Sequence, residues 1–309
     1  MKAHFIQLHS QAIAKVGVRP NKKSKKGQLK VMLLDAVREG DQQTIEDMRE
    51  EVNPFIFELL LTAIQERCSE ALIDCLVGYL RYLPVKTSIK AAPRLARVLS
   101  AAIEQENCAI FRAINIQQLA TSLDNERKMI ELIGAAGAKR CPDLVEVISP
   151  QIPPPFYLDF LARLIPWRPN EIAEISALEC LHRIRTHRYL QRYSDMALRE
   201  LGGRCCSIPL AKFFLENGAS ADGPTDTGHA PIFAASGHDT IQAAEFMRFL
   251  LQNGANPETT YIKQNLKERP GPKNIHKWLG VTWDELVSSI NQARGTSTED
   301  LDAGHDAGQ

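Results

Sequence analysis

The chain has 309 residues, 44% of them hydrophobic and 24% charged, with 37 basic residues balancing 37 acidic ones. That composition fits an ordered globular chain and excludes collagen-like or wholly disordered classes. Aromatic residues are only 6%, which disfavours a strand-rich fold, and no apolar run approaches the roughly 18 residues a membrane helix needs.

The charge is unevenly spread. Residues 1–34 carry eight Lys/Arg and no acidic residue, so the remainder is net acidic. The opening stretch MKAHFIQLHSQAIAKVGV is interrupted by His, Gln and Ser, unlike a secretory signal. A mitochondrial presequence is Arg-rich, and this segment is not. Seven cysteines (Cys68, Cys75, Cys108, Cys141, Cys180, Cys205 and Cys206) form an odd set with no CxxC pair. Free thiols in a reducing compartment are the expectation, in the nucleus or cytoplasm.

In chain order, residues 1–28 read as a basic, flexible arm. Arg19, Lys22, Lys23, Lys25 and Lys26 crowd into it, flanked by Pro20 and Gly27, which should break any helix. From Leu29 the pattern is of short helices in pairs. LKVMLLDAVREGD spaces Leu29, Met32, Leu33, Ala36 and Val37 on one face and stops at Gly40. Asn53-Pro54 suits an N-cap and first turn, and Ser69 suits the cap of the next helix. Further helices are predicted at 93–105, 108–118, 125–136, 142–148, 156–164, 170–184, 189–201, 208–216, 230–236 and 243–252. The proline run in SPQIPPPF (149–156) predicts an extended polyproline connection.

Breaks within the pairs fall near Gly40, Cys68, Asn107, Lys139, Pro169, Gly203 and His238, separated by 28 to 39 residues. That spacing is the period of a two-helix repeat, whose members must stack to bury their apolar faces. FFLENGAS (213–220) and FLLQNGAN (249–256) repeat one helix ending 36 residues apart. Asn-Gly there suits a left-handed residue just beyond a helix. Between them, DTGHAPIFAASGHD places Pro231 in a first turn and Gly237 at the end of a short helix.

Over 207–258 these residues resemble the ankyrin repeat, with its Thr-Pro-Leu-His start, small Ala-Ala face, Gly-His and terminal Asn-Gly-Ala. Three departures stand out. Ala230 replaces the capping Thr, Phe233 occupies the His position, and three extra residues lengthen the period. LLDAVREGDQQTIEDM (33–48) is a second, weaker match, and 54–200 fit by helix rhythm alone. HKWLGVTWDELVSSI (276–290) resembles the closing segment of ankyrin-repeat proteins from filamentous fungi, with Thr282 and Glu285 as a capping box, a Val281–Leu286 staple and Trp278 and Trp283 as cover. The resemblance implies an all-α, ankyrin-type helical-repeat solenoid with degenerate repeats over 29–260 and a C-terminal helical cap over 270–293. An acidic, disordered tail is expected at 294–309.

Such a fold implies a non-enzymatic, regulatory scaffold that binds protein partners. On that resemblance the contact candidates are Asp222, Gly223, Thr225 and Asp226, with His238, Asp239, Thr259 and Tyr261 on neighbouring loops. A nuclear coregulator acting through a DNA-bound partner is the alternative. In that case Lys22, Lys23, Lys25 and Lys26 form an import run. An enzyme of unrecognised type is the third reading. No hydrolase, zinc-protease, nucleotide-binding or kinase signature is present, so no enzyme and no cofactor is expected. His182 and His187 are five apart, off one helix face. His229 and His238 read as turn residues, and adjacent Cys205 and Cys206 cannot readily share one metal ion. Direct nucleic-acid binding is not expected, with no zipper, finger or helix-turn-helix pattern.

Overall fold

The computed structural model describes residues 22–80, 88–114, 123–223, 230–261 and 264–302. The chain forms two compact units, divided between Leu132 and Ile133. The described residues are mostly helical; their only strands are the two-residue β1 (Thr260–Tyr261) and β2 (Gln264–Asn265), paired antiparallel.

The first unit contains α1 (Lys22–Glu39), α2 (Gln42–Asp47), α3 (Arg49–Val52), α4 (Ile56–Gln65), α5 (Glu70–Leu80), α6 (Ser88–Glu104) and α7 (Cys108–Ala113). Helices α1, α4 and α6 pack side by side in one layer, and α2, α5 and α7 in a second. Leu33, Val37, Leu59, Leu60, Leu72, Leu76 and Leu99 are fully buried in this unit. Leu33 and Val37, and likewise Leu72 and Leu76, lie four positions apart on their helices, the spacing of one apolar stripe.

The break between units falls within α8 (Leu123–Lys139). The second unit continues with α9 (Pro142–Ile148), α10 (Pro154–Leu164), α11 (Glu171–Arg183), α12 (Arg188–Gly202), α13 (Ile208–Glu216), α14 (Pro231–Ala235) and α15 (Ile241–Gln252). Here α10, α12 and α14 form one layer, and α9, α11 and α13 the other. Then come α16 (Pro270–Lys273), α17 (Ile275–Leu279) and α18 (Trp283–Asp302), of which α17 and α18 pack on α15.

One turn is built again and again inside the pairs. At the end of α1, Gly40 N–H donates to Val37 O (3.1 Å) and Asp41 N–H to Ala36 O (2.8 Å). Helix α4 ends with Arg67 to Ile64 O (3.1 Å) and Cys68 to Ala63 O (2.9 Å); α6 ends with Glu106 to Ile103 O (3.2 Å) and Asn107 to Ala102 O (2.8 Å). Helix α8 ends with Arg140 to Gly137 O (3.2 Å). The residue just past each helix is left-handed, with φ of 70° at Gly40, 54° at Arg67, 55° at Glu106 and 52° at Arg140. This is a Schellman closure, and a buried alanine (Ala36, Ala63, Ala102, Ala136) sits four residues ahead of each left-handed one.

The doubled Asn-Gly-Ala closes its helices in the same way. Gly218 (φ 93°) donates to Leu215 O, and Ala219 to Phe214 O; Gly254 (φ 106°) donates to Leu251 O, and Ala255 to Leu250 O. The side-chain amides of Asn217 and Asn253 reach Phe213 O and Phe249 O at 2.7 and 2.8 Å.

Several expectations need correction. Helix α1 begins at Lys22 and runs through Gly27, whose missing side chain faces open space; a single helix-interior glycine costs about 1 kcal/mol and need not end the helix. Helix α6 starts at Ser88 and carries Pro93 inside it. Pro54 opens a 3₁₀ turn (Asn53–Phe55) rather than α4, and Asn53 caps nothing there. Helix α7 ends at Ala113, with Ile114 extended. Of the three prolines, only Pro153 is extended (φ −63°, ψ 146°); Pro154 and Pro155 form the first turn of α10, where missing N–H groups cost nothing. Helix α18 runs to Asp302, into the stretch expected as tail, and 303–309 lie outside the described residues.

Other local readings hold. Ser69 Oγ accepts from Leu72 N–H at 3.4 Å. Thr282 and Glu285 form the capping box, at 2.7 and 3.3 Å, and the Thr282 N–H holds the Glu285 carboxyl below its usual pKa. Ala230 begins α14 with no side-chain cap.

Candidate protein-binding surface

The turn residues singled out from sequence are tied into the fold. Asp222 is exposed, and its Oδ1 accepts from Asn256 N–H at 2.6 Å. It thereby fastens the turn after α13 to the turn after α15. Gly223 is buried at φ 74°, where any Cβ would collide with the Pro231 ring. Thr259 donates through Oγ1 to Asn256 O at 2.9 Å, and Tyr261 lies in β1 opposite Gln264. Thr225, Asp226 and His229 lie outside the described residues.

Half-buried His238 follows α14, its N–H donating to Ala235 O. Asp239 beside it gathers three donors: Trp278 Nε1 at 2.7 Å, Asn274 Nδ2 at 3.1 Å and Lys277 Nζ at 3.7 Å. One carboxylate thus holds α16 and α17 against the α14–α15 turn. In α1, Lys25 and Lys26 are exposed, with Lys26 Nζ 5.6 Å from the Phe55 ring centre. The side chains of Lys22 and Lys23 lie outside the described residues.

Cys205 and Cys206 are buried, and burial pushes their thiols up to about 11 and about 12. Neither is a thiolate near neutral pH. Among the described residues, no group of three His, Cys, Asp or Glu is placed to hold a metal ion.

Two surface features of the second unit were not anticipated. The first is apolar and lies at the α10–α11 turn. Trp167 is 65% exposed, Ile172 79% and Ile175 51%. Ile175 joins Pro169, Leu178 and Pro209 around a shallow hollow of about 440 Å³, rimmed by Glu171 and Glu174. The Arg204 guanidinium lies 4.3 Å from the Trp167 ring centre and also bonds Glu200 Oε2 and Ala162 O. From the other side, Arg140 Nε donates to Leu164 O at 2.7 Å. Two arginines therefore cap the C-terminal carbonyls of α10, where positive charge is favoured. They also brace the turn that displays Trp167. The signal was present in NEIAEISALECL, a helix apolar on two faces: Ala177, Cys180 and Leu181 face the core, and Ile172 and Ile175 point the opposite way.

The second feature is basic and lies at the start of α12. From His182 to Ser194 there are four arginines, two histidines and no acidic residue. Arg183 pairs with Glu146 (3.0 Å) and Asp143 (3.6 Å). Arg185, Arg188 and Arg192 are exposed, and no carboxylate among the described residues pairs with them. Beneath lies an aromatic cluster: fully buried Tyr157 stacks on His187 at 4.8 Å and contacts Tyr189 and Tyr193 at 5.6 and 6.1 Å. Arg188 and Arg192 lie over the Tyr189 and Tyr193 rings at 4.6 and 5.6 Å. His187 caps α12, its Nδ1 accepting from Tyr189 N–H at 3.4 Å. Burial, then the neighbouring Arg188 charge, holds its imidazole below the usual pKa.

Comparison with protein families, with curated proteins and with solved structures finds no match for this chain.

Proposed function

We propose that this chain is a non-enzymatic scaffold that binds other proteins, built as an ankyrin-type solenoid with degenerate repeats and closed by a helical cap over 270–293. The observation that carries this reading is the recurrent hairpin turn. Ala36–Asp41, Ala63–Cys68 and Ala102–Asn107 share both closure bonds, and Ala136–Cys141 repeats the left-handed turn, in helix pairs layered side by side within each unit. Layered pairs of this kind give broad surfaces whose exposed side chains are free to vary. Trp167, Ile172 and Ile175 are the anchors such a surface would use, because large exposed apolar groups in proximity mark interaction sites.

Affinity capture from the native cell tests this. The wild-type chain should retain a stoichiometric partner, and an Ile172→Asp/Ile175→Asp variant with unchanged helicity should lose it. A chain that retains none, or whose partners ignore these positions, overturns the reading.

The exposed Lys25 and Lys26 at the head of α1 favour a second reading, a nuclear coregulator acting through a DNA-bound partner. A fluorescent fusion should accumulate in nuclei and lose that accumulation when Lys22, Lys23, Lys25 and Lys26 become Ala. Uniform distribution of the wild type excludes it.

A further inference from the structure

We infer that the exposed arginine face at the head of α12 docks an Asp/Glu-rich segment of a partner protein. The inference rests on the scaffold reading and gives the partner a chemistry.

Three observations support it. Arg188 and Arg192 are four positions apart on one helix, so they share a face, and Arg185 lies three positions before Arg188 in the α11–α12 turn. All three are exposed without a carboxylate partner among the described residues, in a stretch with no acidic residue. Several other arginines of the second unit are spoken for: Arg140 by backbone carbonyls, Arg183 by Asp143 and Glu146, Arg199 by Glu200, Arg204 by Glu200 and Ala162 O. Exposed Arg163 and Arg168 also lack a carboxylate partner among the described residues, but they stand singly in α10 and in the α10–α11 turn. Unpaired guanidinium groups are planar forks that match carboxylates two bonds at a time.

The face is also held in place. Arg188 Nη2 donates to Tyr189 Oη at 2.8 Å, and its guanidinium lies over that ring. Arg192 lies over Tyr193, whose hydroxyl is fixed to Pro154 O at 2.9 Å. Tyr157 supports both tyrosines from below, and His187, stacked on Tyr157, also contacts Tyr189 at 5.3 Å. Little side-chain freedom then remains to be lost on binding. The N-terminal end of a 15-residue helix adds its partial positive charge at the same place.

The same geometry argues against single-stranded nucleic acid. That ligand uses open aromatic faces for base stacking along an extended basic track. Here the tyrosine rings are taken up by Tyr157 beneath and the guanidinium groups above. The unpaired charge is confined to about two helical turns, which suits a short acidic stretch.

The test uses the full chain and a fluorescein-labelled Glu/Ser copolymer peptide, with a Lys/Ser peptide and oligouridylate for comparison, read by fluorescence anisotropy. The Glu/Ser peptide should bind, at least tenfold more tightly than either comparison ligand, and weaken steeply as salt shortens the screening length. Arg188→Glu/Arg192→Glu should weaken it more than tenfold. Arg185→Glu lies in the turn outside α12, and should weaken it severalfold with the circular dichroism and thermal midpoint of the wild type. Equal or tighter binding of oligouridylate, or Glu/Ser binding indifferent to Arg185→Glu, overturns the inference. If the acidic peptide fails while a captured partner still depends on Ile172 and Ile175, the scaffold reading stands and this one alone falls.

Discussion

At the residue scale, the left-handed turn positions carry strain that glycine would remove. Arg67 and Glu106 occupy the place that Gly40 fills in α1, and a side chain there costs about 1 kcal/mol. Arg67→Gly should therefore raise stability by roughly that amount in a urea melt, despite losing the exposed Gln105 hydrogen bond, and Gly40→Ala should lower it. No gain for Arg67→Gly would mean that its turn does not hold the left-handed form in solution.

His187 makes a pH prediction. Its Nδ1 caps α12 only while unprotonated, and its folded pKa is depressed below the unfolded value. Its stabilising contribution is present above about pH 6.5 and is lost as pH falls below that toward the depressed folded pKa. Stability should thus decline between neutral and mildly acidic pH. His187→Asn, which keeps a capping side chain without titrating, should flatten that decline, whereas His187→Ala should cost about 1 kcal/mol at neutral pH. A decline of equal slope in His187→Asn would place the titration elsewhere.

At the scale of elements, helix spacing is set by small residues at the crossings. A Cβ on Gly202 of α12 would lie under 3.0 Å from Pro231 O of α14. Gly202→Ala gains helix propensity but must push these helices apart, so a net loss of about 1–3 kcal/mol is expected. A gain would show that the layers tolerate wider spacing. The cap depends on Asp239 in the same concentrated way. Asp239→Ala should free the Trp278 indole, visible as red-shifted emission in a Trp167→Phe background, and should raise amide exchange in α16 and α17 ahead of the rest of the chain. Unchanged emission would show that other contacts hold the cap.

For the whole molecule, helix content and pairing were legible because apolar spacing and Asn-Gly endings act locally. The Asn-Gly pairs at 217–218 and 253–254 announce their conformation, since glycine is the residue that adopts it freely. Arg67, Glu106 and Arg140 do not; their backbone is imposed by the hairpin, and the only sequence trace is the small residue four places earlier. The prolines at 154–155 were misread because one residue type serves both an extended strand and a first helical turn. Surfaces were the least legible. Exposure of Ile172 and Ile175 depends on which face of α11 meets its neighbours, and the Arg188–Arg192 face gains its order from Tyr157, some thirty positions away.

The ties between successive helix pairs are short-range in sequence. Arg140 to Leu164 bridges 24 positions, Asp222 to Asn256 bridges 34, and Asn274 to Asp239 bridges 35. No distant part of the chain must arrive before such a tie can form, so nucleation has many equivalent starting points and closing each loop costs little entropy. Under tension the same arrangement acts as a series of weak links. Drawn out by its C-terminus, the second unit should yield pair by pair, beginning where Asp239 grips the last helices, and recoil in the reverse order once the load is released.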